Sequence, residues 1–371
     1  MPRAAQKTYR LCRFEGGRAN LMLIERSRKI FKGTGADKLI VTAPDLRFYL
    51  TGFESSDGMV VADESGTSFY TDARYLEAAA KALEGSGIAV KQPPAGGYLS
   101  LTEGSGKVAA ALSRITADEY IALKGKVGEV VDCTPAFTEA MGIKDEGELE
   151  RIKRACEIAD RAFKDVLGAF KEGMTENEAA AELEYRMRKF GASGTSFDTI
   201  MAFGEGSSVP HHETGSRKLK FGDIILMDFG CKWGGYCSDC TRTFLFGDDK
   251  KHEEFKKAYK VVLAAHMAAK ERITDGMSGA EADAVARNVL KEAGLDKYFT
   301  HSLGHGIGIN IHEFPRLSPK SSDILKDGMV FSDEPGVYFE GDFGIRIEDS
   351  VTLCGGKVVS LTDSDKDLII L

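Results

Sequence analysis

Four acidic residues sit in stretches that otherwise read as β-strands, and the chemistry of this 371-residue chain concentrates there. The run Asp223 to Gly230 carries Asp228, the loop Lys232 to Gly235 follows, and the run Tyr236 to Leu245 carries Asp239. The pattern is that of a hairpin. A turn centred between Trp233 and Gly234 sets Asp228 opposite Asp239, with Cβ atoms about 4.5–5.5 Å apart. A turn centred on Gly234 and Gly235 sets Asp228 opposite Thr241 instead. A second hairpin pattern repeats the device: Met329 to Tyr338 carries Glu334, the return run from Gly344 carries Glu348, and a turn at Gly341 makes the two face each other. Like charges so placed repel, and carboxylates are poor strand residues. A divalent cation gives the fold a reason to keep them.

Between the hairpins lies His301-Ser-Leu-Gly-His305-Gly-Ile-Gly-Ile-Asn-Ile-His312-Glu-Phe-Pro315. Four carboxylates and one imidazole from these segments make an oxygen-rich, mixed O/N ligand set. That set suits manganese, cobalt, iron or zinc better than magnesium or calcium. Carboxylates able to bridge favour two ions about 3.5–4 Å apart. Any one of these acids alone is an ordinary solvent-facing residue, and a lone glycine-flanked histidine is more often structural. The repeated acid arrangement, with histidines between its two copies, is what points to a metal site.

Six segments, in order, resemble those of the creatinase, prolidase, aminopeptidase P and methionine aminopeptidase superfamily, whose catalytic domain has the pita-bread fold. They are Ser208-Val-Pro-His-His212, Met227-Asp-Phe-Gly230, Ser238-Asp-Cys-Thr-Arg-Thr243, His301 to Pro315, Glu334-Pro-Gly-Val-Tyr338 and Gly344-Ile-Arg-Ile-Glu-Asp349. Phe48-Tyr-Leu-Thr-Gly-Phe53 and Tyr70-Thr-Asp-Ala-Arg-Tyr75 resemble pieces of the family's N-terminal creatinase-like domain. The resemblance implies an α/β (α+β) protein, with a smaller N-terminal creatinase-like mixed α/β domain and a C-terminal pita-bread metallopeptidase domain. It implies two divalent metal ions, manganese first, with cobalt, zinc or iron as alternatives. On the same resemblance Asp228 is the bidentate ligand of one ion, Asp239 and Glu348 bridge both, and His305 and Glu334 bind the second. Glu334 also matches the family's proton shuttle. His211, His301 and His312 match its substrate-side histidines, and Arg346 matches the arginine of a GxRxED pattern found in proline-type members.

The implied substrate is a peptide with proline in the second position, cut before that proline by an Xaa-Pro aminopeptidase. An Xaa-Pro dipeptidase restricted to dipeptides is the alternative. Creatinase-like C–N cleavage and a non-catalytic interaction module are remoter, since relatives of those kinds lack part of the ligand set. Family resemblance also implies a homodimer.

The elements that must hold these residues can be read from periodicity. Arg18 to about Pro135 reads as one mixed α/β unit: a helix over Leu21–Thr34, a strand over Lys38–Thr42, a hairpin from Gly58–Ala62 and Ser68–Tyr70, a helix over Tyr75–Glu84 and a strand over Gly87–Lys91. A boundary falls between Ala136 and Asp145, giving domains 1–140 and 141–371. Lys144–Lys171 is an amphipathic helix pattern ending at Gly173, and a second helix starts at Thr175 with Glu178 three residues on, a capping signal. Beyond Ser196 the chain is β-rich, interrupted by helix patterns over Lys256–Ala268 and Ala280–Ala293.

Composition narrows the class. Hydrophobic content of 43% and charged content of 29% are those of a globular protein, and a net charge of −8 without a basic stripe argues against nucleic acid. Apolar runs are strand-sized and the basic stretch Met1 to Arg13 has no apolar core, so neither a membrane span nor a secretory signal is expected. Seven scattered cysteines, including Cys12, suit reduced thiols and a cytoplasmic location. Cys237-Ser-Asp-Cys240 has CxxC spacing but no second pair, so packing is expected of it rather than zinc. Gly304 to Gly308 lacks a phosphate-loop lysine, and its glycines are expected to allow close backbone approach to the metals. His212 is either a substrate-side histidine or a neighbour of one. Arg316 either grips a substrate carboxylate or is a loop arginine. His252 and His266 are expected to be surface or core residues, and Trp233 a packing or contact residue.

Overall fold

The computed structural model describes residues 19–248 and 252–371. Cys12 and the basic N-terminal stretch lie outside them. The chain parts into two compact units between Met141 and Gly142.

The first unit contains α1 (Ala19–Thr34), β1 (Lys38–Val41), α2 (Pro44–Thr51), β2 (Met59–Asp63), β3 (Gly66–Tyr70), α3 (Leu76–Ala82), β4 (Ala89–Lys91), β5 (Lys107–Ala110), α4 (Ala117–Lys124), β6 (Glu129–Asp132) and most of α5 (Thr134–Gly142). Its strands form one mixed sheet in the order β4-β3-β2-β1-β5-β6. The β2–β3 hairpin forms where alternation predicts it. Ile40, Met59, Val61, Val108 and Leu123 close the core on one side of this sheet.

The second unit consists of two similar halves. In the first half, α6 (Glu146–Val166) and α7 (Glu176–Lys189) precede β7 (Gly194–Thr195), β8 (Ile200–Phe203), β9 (Asp223–Phe229), β10 (Cys231–Trp233), β11 (Tyr236–Cys237) and β12 (Cys240–Phe246). In the second, α8 (Glu253–Arg272) and α9 (Gly279–Glu292) precede β13 (Gly304–Gly306), β14 (Glu313–Leu317), β15 (Val330–Asp333), β16 (Gly336–Phe339), β17 (Phe343–Arg346), β18 (Asp349–Cys354) and β19 (Lys357–Ser360). Helices α6 and α7 cover the sheet β12-β9-β8, and α8 and α9 lie over the strands of the second half, each pair closing its own apolar core. The helix starts are set locally. Asp145 with Glu148, Thr175 with Glu178 and Ser278 with Glu281 each form a reciprocal capping box, a device contributing about 1 kcal/mol apiece. The apolar stripe of α6, made of Ile152, Ala155, Ile158, Ala159, Ala162, Phe163 and Val166, is buried.

The hairpins decide where the acids go. In the first, Asp228 pairs with Thr241, and Trp233 with Tyr236. The register with Asp228 directly opposite Asp239 is therefore not the one formed. The reason lies in the turn: a tight two-residue hairpin needs positive φ at both central residues. Gly234 and Gly235 supply it, at 56° and 83°, whereas the bulky Trp233 would be strained there. The same register brings Asp239, in the break between β11 and β12, level with Gly230. A Cβ on Gly230 would lie 1.9 Å from the Ser238 carbonyl oxygen.

In the second hairpin Gly336 pairs with Arg346 and, beyond an interruption, Asp333 pairs with Asp349. Glu334 and Glu348 fall level with each other inside that interruption, as the turn at Gly341 predicts. Their backbone N–H groups turn outward, to the carbonyls of Leu303 (3.0 Å) and Thr241 (3.1 Å).

Gly230→Ala should lower stability by at least about 1–3 kcal/mol, the usual cost of overpacking, because backbone rather than a mobile side chain opposes the methyl. Chemical denaturation measures this, and an unchanged midpoint would mean that the β9–β12 approach is looser than described.

Candidate metal centre and active-site cavity

The seam between the two halves encloses a cavity of about 750 Å³. His211, Asp228, Asp239, His301, His305, His312, Arg316, Glu334, Arg346 and Glu348 all line it. All ten residues singled out from the sequence are thus brought together, on strands and loops up to 137 residues apart in the chain.

Each acidic side chain is held by a specific neighbour. The Asp228 Oδ2 atom accepts a 2.6 Å bond from Arg346, while its buried Oδ1 has no hydrogen-bond partner among the described residues. The backbone of Asp239 is clamped on both sides by the Ser350 hydroxyl, which accepts its N–H (3.0 Å) and donates to its carbonyl (2.8 Å). Glu334 accepts from Ser332 (3.0 Å), and Glu348 accepts from Thr241 (2.6 Å). His305 Nδ1 lies 3.1 Å from the Gly306 carbonyl, which fixes the proton there. Its Nε2 therefore turns a lone pair toward Glu334 Oε1 at 3.5 Å and Asp239 Oδ2 at 3.6 Å. One ligand atom each from Asp239, His305 and Glu348 lies within 4.8 Å of the others.

Acceptors facing acceptors at these distances need a cation between them, and an orphaned buried carboxylate oxygen says the same. The residues fit divalent metal. Titration behaviour without metal agrees. Burial, with the charges of Glu348, Asp228 and Glu334, holds Asp239 well above the carboxylate range. Burial and the Glu334 and Asp228 charges do the same to Glu348. Glu334 is pushed up to about 8 by burial, with Asp228 adding to it and Arg346 opposing. Burial, helped by His312, lowers His305 to about 4, leaving a neutral imidazole able to ligate.

The glycines beside His305 admit neighbouring strands closely. A Cβ on Gly304 would meet the Ser332 carbonyl at 2.0 Å, and one on Gly306 the Phe314 carbonyl at 2.2 Å.

The substrate-side candidates differ in how they are held. His301 donates from Nδ1 to its neighbour's carbonyl, Ser302 O (2.8 Å), so its Nε2 accepts from the Tyr338 hydroxyl (3.0 Å). That hydroxyl in turn accepts from Arg346 (2.7 Å). Burial, with the Arg346 charge, lowers His301 to about 3. The Arg346 guanidinium is bonded from every nitrogen: Nε donates to Thr241, one terminal nitrogen to Tyr338 and the Pro210 carbonyl, and the other to Asp228. His211 sits on the loop after β8. Its neighbour His212 turns away to Glu176 Oε2 (3.0 Å), an anchor that also accepts the N–H groups of Phe203 and Gly215. His212 thus pins the loop that carries His211. The rings of His312 and His305 are 4.3 Å apart, and Arg316 lies exposed on the cavity wall, near enough to depress both histidines further.

Sequence reasoning passed over Thr241, Tyr338, Ser332 and Ser350, although Thr241 and Tyr338 stand within motifs it quoted. It also missed Asp283 and Arg287, an i,i+4 pair on α9 that holds the Leu303 N–H and the His301 carbonyl. That spacing is the signal that could have found them. His266 proves to be a core residue on α8, facing Asp333 and Asp349. Burial opposes its charge, but Asp333 beside it prevails and lifts it to about 9. The six described cysteines are free thiols; Cys237 and Cys240 are buried, and Trp233 packs against the first half's core.

Residues 150–353 match the metallopeptidase family M24, and residues 24–140 the creatinase/prolidase N-terminal domain. The chain belongs to metallopeptidase family M24 and is a peptidase of its two-domain, pita-bread kind. It is 36% identical to an uncharacterized peptidase of Bacillus subtilis, over 94% of this chain and all of that one. Among solved structures, an Xaa-Pro dipeptidase from Bacillus anthracis superposes with a TM-score of 0.89 at 35% identity, covering 95% of this chain and all of the other. An X-Pro aminopeptidase from Thermotoga maritima superposes with a TM-score of 0.85 at 33% identity, covering 93% and 100%.

The carboxylate shifts give a pH dependence. A carboxyl raised in the fold contributes stability that is present below its unfolded value and lost as pH climbs through its folded value. His301 and His305, depressed in the fold, act oppositely, but only below the ordinary histidine value of about 6.5. Between pH 6.5 and about 8 the Glu334 behaviour therefore governs, and His266 works in the same direction. Metal-free protein in EDTA should melt at a lower temperature at pH 8 than at pH 6.5, with added manganese reducing the gap. A gap of the same size with and without metal would contradict this account of the carboxylate cluster.

Proposed function

We propose that the chain hydrolyses the bond between an N-terminal residue and a following proline, and that it accepts Xaa-Pro dipeptides through Arg316. Supporting the proline reading are the intact set Asp228, Asp239, His305, Glu334 and Glu348, the Arg346 motif, and relatives named for Xaa-Pro cleavage. The dipeptide reading is carried by one observation: Arg316 is exposed on the cavity wall with no side-chain partner among the described residues. A guanidinium so placed suits the carboxylate of a C-terminal proline. A second reading, aminopeptidase action on longer peptides, is favoured by a cavity of about 750 Å³, which leaves room beyond a dipeptide, and by the Thermotoga neighbour.

In this reading Asp228, Asp239, His305, Glu334 and Glu348 hold two divalent cations, manganese by family resemblance. Bound there, the cations supply Lewis acidity that polarises the scissile carbonyl and acidifies water. Glu334, whose proton affinity burial raises, carries a proton toward the departing proline nitrogen, which leaves poorly without one. His211 and His312 make no hydrogen bond among the described residues, so each can donate to the oxygen that gains charge, a contribution of about 2.7–4 kcal/mol per donor. His301, engaged at both nitrogens, shapes the wall, and Arg346, bonded from all three of its nitrogens, orients Asp228 and, through Thr241, Glu348. Resemblance supports a homodimer, which light scattering checks. No described helix is long and apolar enough to cross a membrane, and a cytoplasmic location agrees with the cysteine usage.

Asp239→Ala should abolish both activity and full metal loading, measured by turnover of Gly-Pro and by metal analysis; full activity would sink the metal reading. Arg316→Met should raise KM for Gly-Pro by about tenfold or more, the loss of one charged hydrogen bond, with little change in kcat. Comparing Gly-Pro with Gly-Pro-initiated longer peptides decides between the readings. Faster turnover of the longer peptides and an indifferent Arg316→Met would establish the aminopeptidase, and turnover of neither substrate would remove proline specificity.

A further inference from the structure

The strands that deliver Glu334 and Glu348 to the cavity deliver a second acidic pair to the opposite face. Asp333 and Asp349 are direct cross-strand partners, and both are fully buried. Ser332 and Ser350, on the cavity side with the ligands, contact Glu334 and Asp239. The alternation of a strand therefore sends Asp333 and Asp349 away from the metal centre. On that far face the protein supplies the cations itself. Asp349 receives Arg242 at 2.7 Å, Lys366 at 2.9 Å and the Ser360 hydroxyl at 3.1 Å. Asp333 has one cation within ion-pair distance among the described residues, His266, whose Nδ1 is 3.1 Å from Oδ2. The other nitrogen of the same ring lies 3.5 Å from Asp349 Oδ2.

At the level of Glu334 and Glu348 the hairpin has no close ladder bond of its own. Their N–H groups go to Leu303 and Thr241, and the nearest cross-strand bond, Ile347 N–H to the Pro335 carbonyl, is 3.4 Å long. The separation of the two ligands is set by what flanks them. On the turn side stands the Gly336–Arg346 pairing, and on the other the Asp333–Asp349 pair.

We propose that His266 is a positioning residue for the metal centre: by bridging Asp333 and Asp349 behind the sheet, it sets the spacing at which Glu334 and Glu348 meet the cations. The inference rests on the reading of those glutamates as ligands. It goes beyond charge balance, which would require a cation near Asp333 but not one ring in ion-pair reach of both strands.

The test compares two pairs that leave no buried charge unpaired at this position. His266→Gln with Asp333→Asn keeps a neutral hydrogen-bonding bridge, whereas His266→Leu with Asp333→Leu keeps bulk without a bond. Manganese is titrated into each metal-free protein by calorimetry, with thermal unfolding measured alongside. The bridged pair should bind within about threefold of the parent, and the leucine pair about 10–100-fold more weakly, the range expected when support behind a ligand is lost. Equal affinities for the two pairs would overturn the proposal. Should the leucine pair not fold, His266→Asn with Asp333→Asn, too short to span the gap, takes its place under the same criterion. A parent protein that binds no manganese would fail the ligand reading itself, which is a distinguishable result.

Discussion

Mutual repulsion among four largely buried carboxylates is the constraint around which the second unit is arranged. Two unit charges 4 Å apart interact by about 4 kcal/mol at an effective dielectric of 20. Several such terms are comparable with the whole stability of an ordinary domain, about 5–15 kcal/mol. Asp228, Asp239, Glu334 and Glu348 cannot all remain ionised in this seam without cations. Protonation is the alternative, and the upward displacement of Asp239, Glu334 and Glu348 shows the direction in which the metal-free protein relaxes. A fold that keeps such a cluster must be held rigid by something other than the cluster.

The rigidity comes from the two halves, each closed by its own pair of helices and its own apolar core. The first half contributes Asp228 and Asp239, and the second contributes His305, Glu334 and Glu348. None of the five lies on a long loop, so each inherits the position of a strand or strand end. Polar contacts then cross the seam. The Arg346 guanidinium ties Asp228 to the second half, Thr241 ties Glu348 to the first, and the Ser350 hydroxyl holds Asp239. Preorganisation of this kind lets a metal bind without dragging backbone into place.

Much of this was legible in the sequence because acids in strands break a local rule, and rules broken locally tend to mark function. Glu334 and Glu348 fall level with each other as the turn at Gly341 predicts. Asp228 and Asp239 were harder, since the register hangs on which two residues make the turn. The glycine pair with positive φ wins over a turn containing Trp233. The two acids consequently meet diagonally, across the break before β12. Family resemblance, not spacing, picked His305 from among three histidines. Least legible were His266, Asp333 and Asp349. A histidine on an amphipathic helix and two acids adjacent to ligands carry no periodic signal, and only tertiary packing shows that they face one another.

Two arginines on one cavity show how burial divides labour. Arg346 is 4% exposed, and a guanidinium so deeply placed is tolerable only when paired and hydrogen-bonded throughout. Its bonds to Thr241, Tyr338, the Pro210 carbonyl and Asp228 engage all three of its nitrogens. Arg316 lies exposed and pays no such desolvation cost, so its side chain can do without a partner among the described residues. The same reasoning separates the histidines. His301 is deeply enclosed and bonded at both nitrogens, whereas His312 is more open and makes no hydrogen bond among the described residues. In this cavity burial and bonding go together, and the groups enclosed most deeply are the ones the protein holds from more than one side.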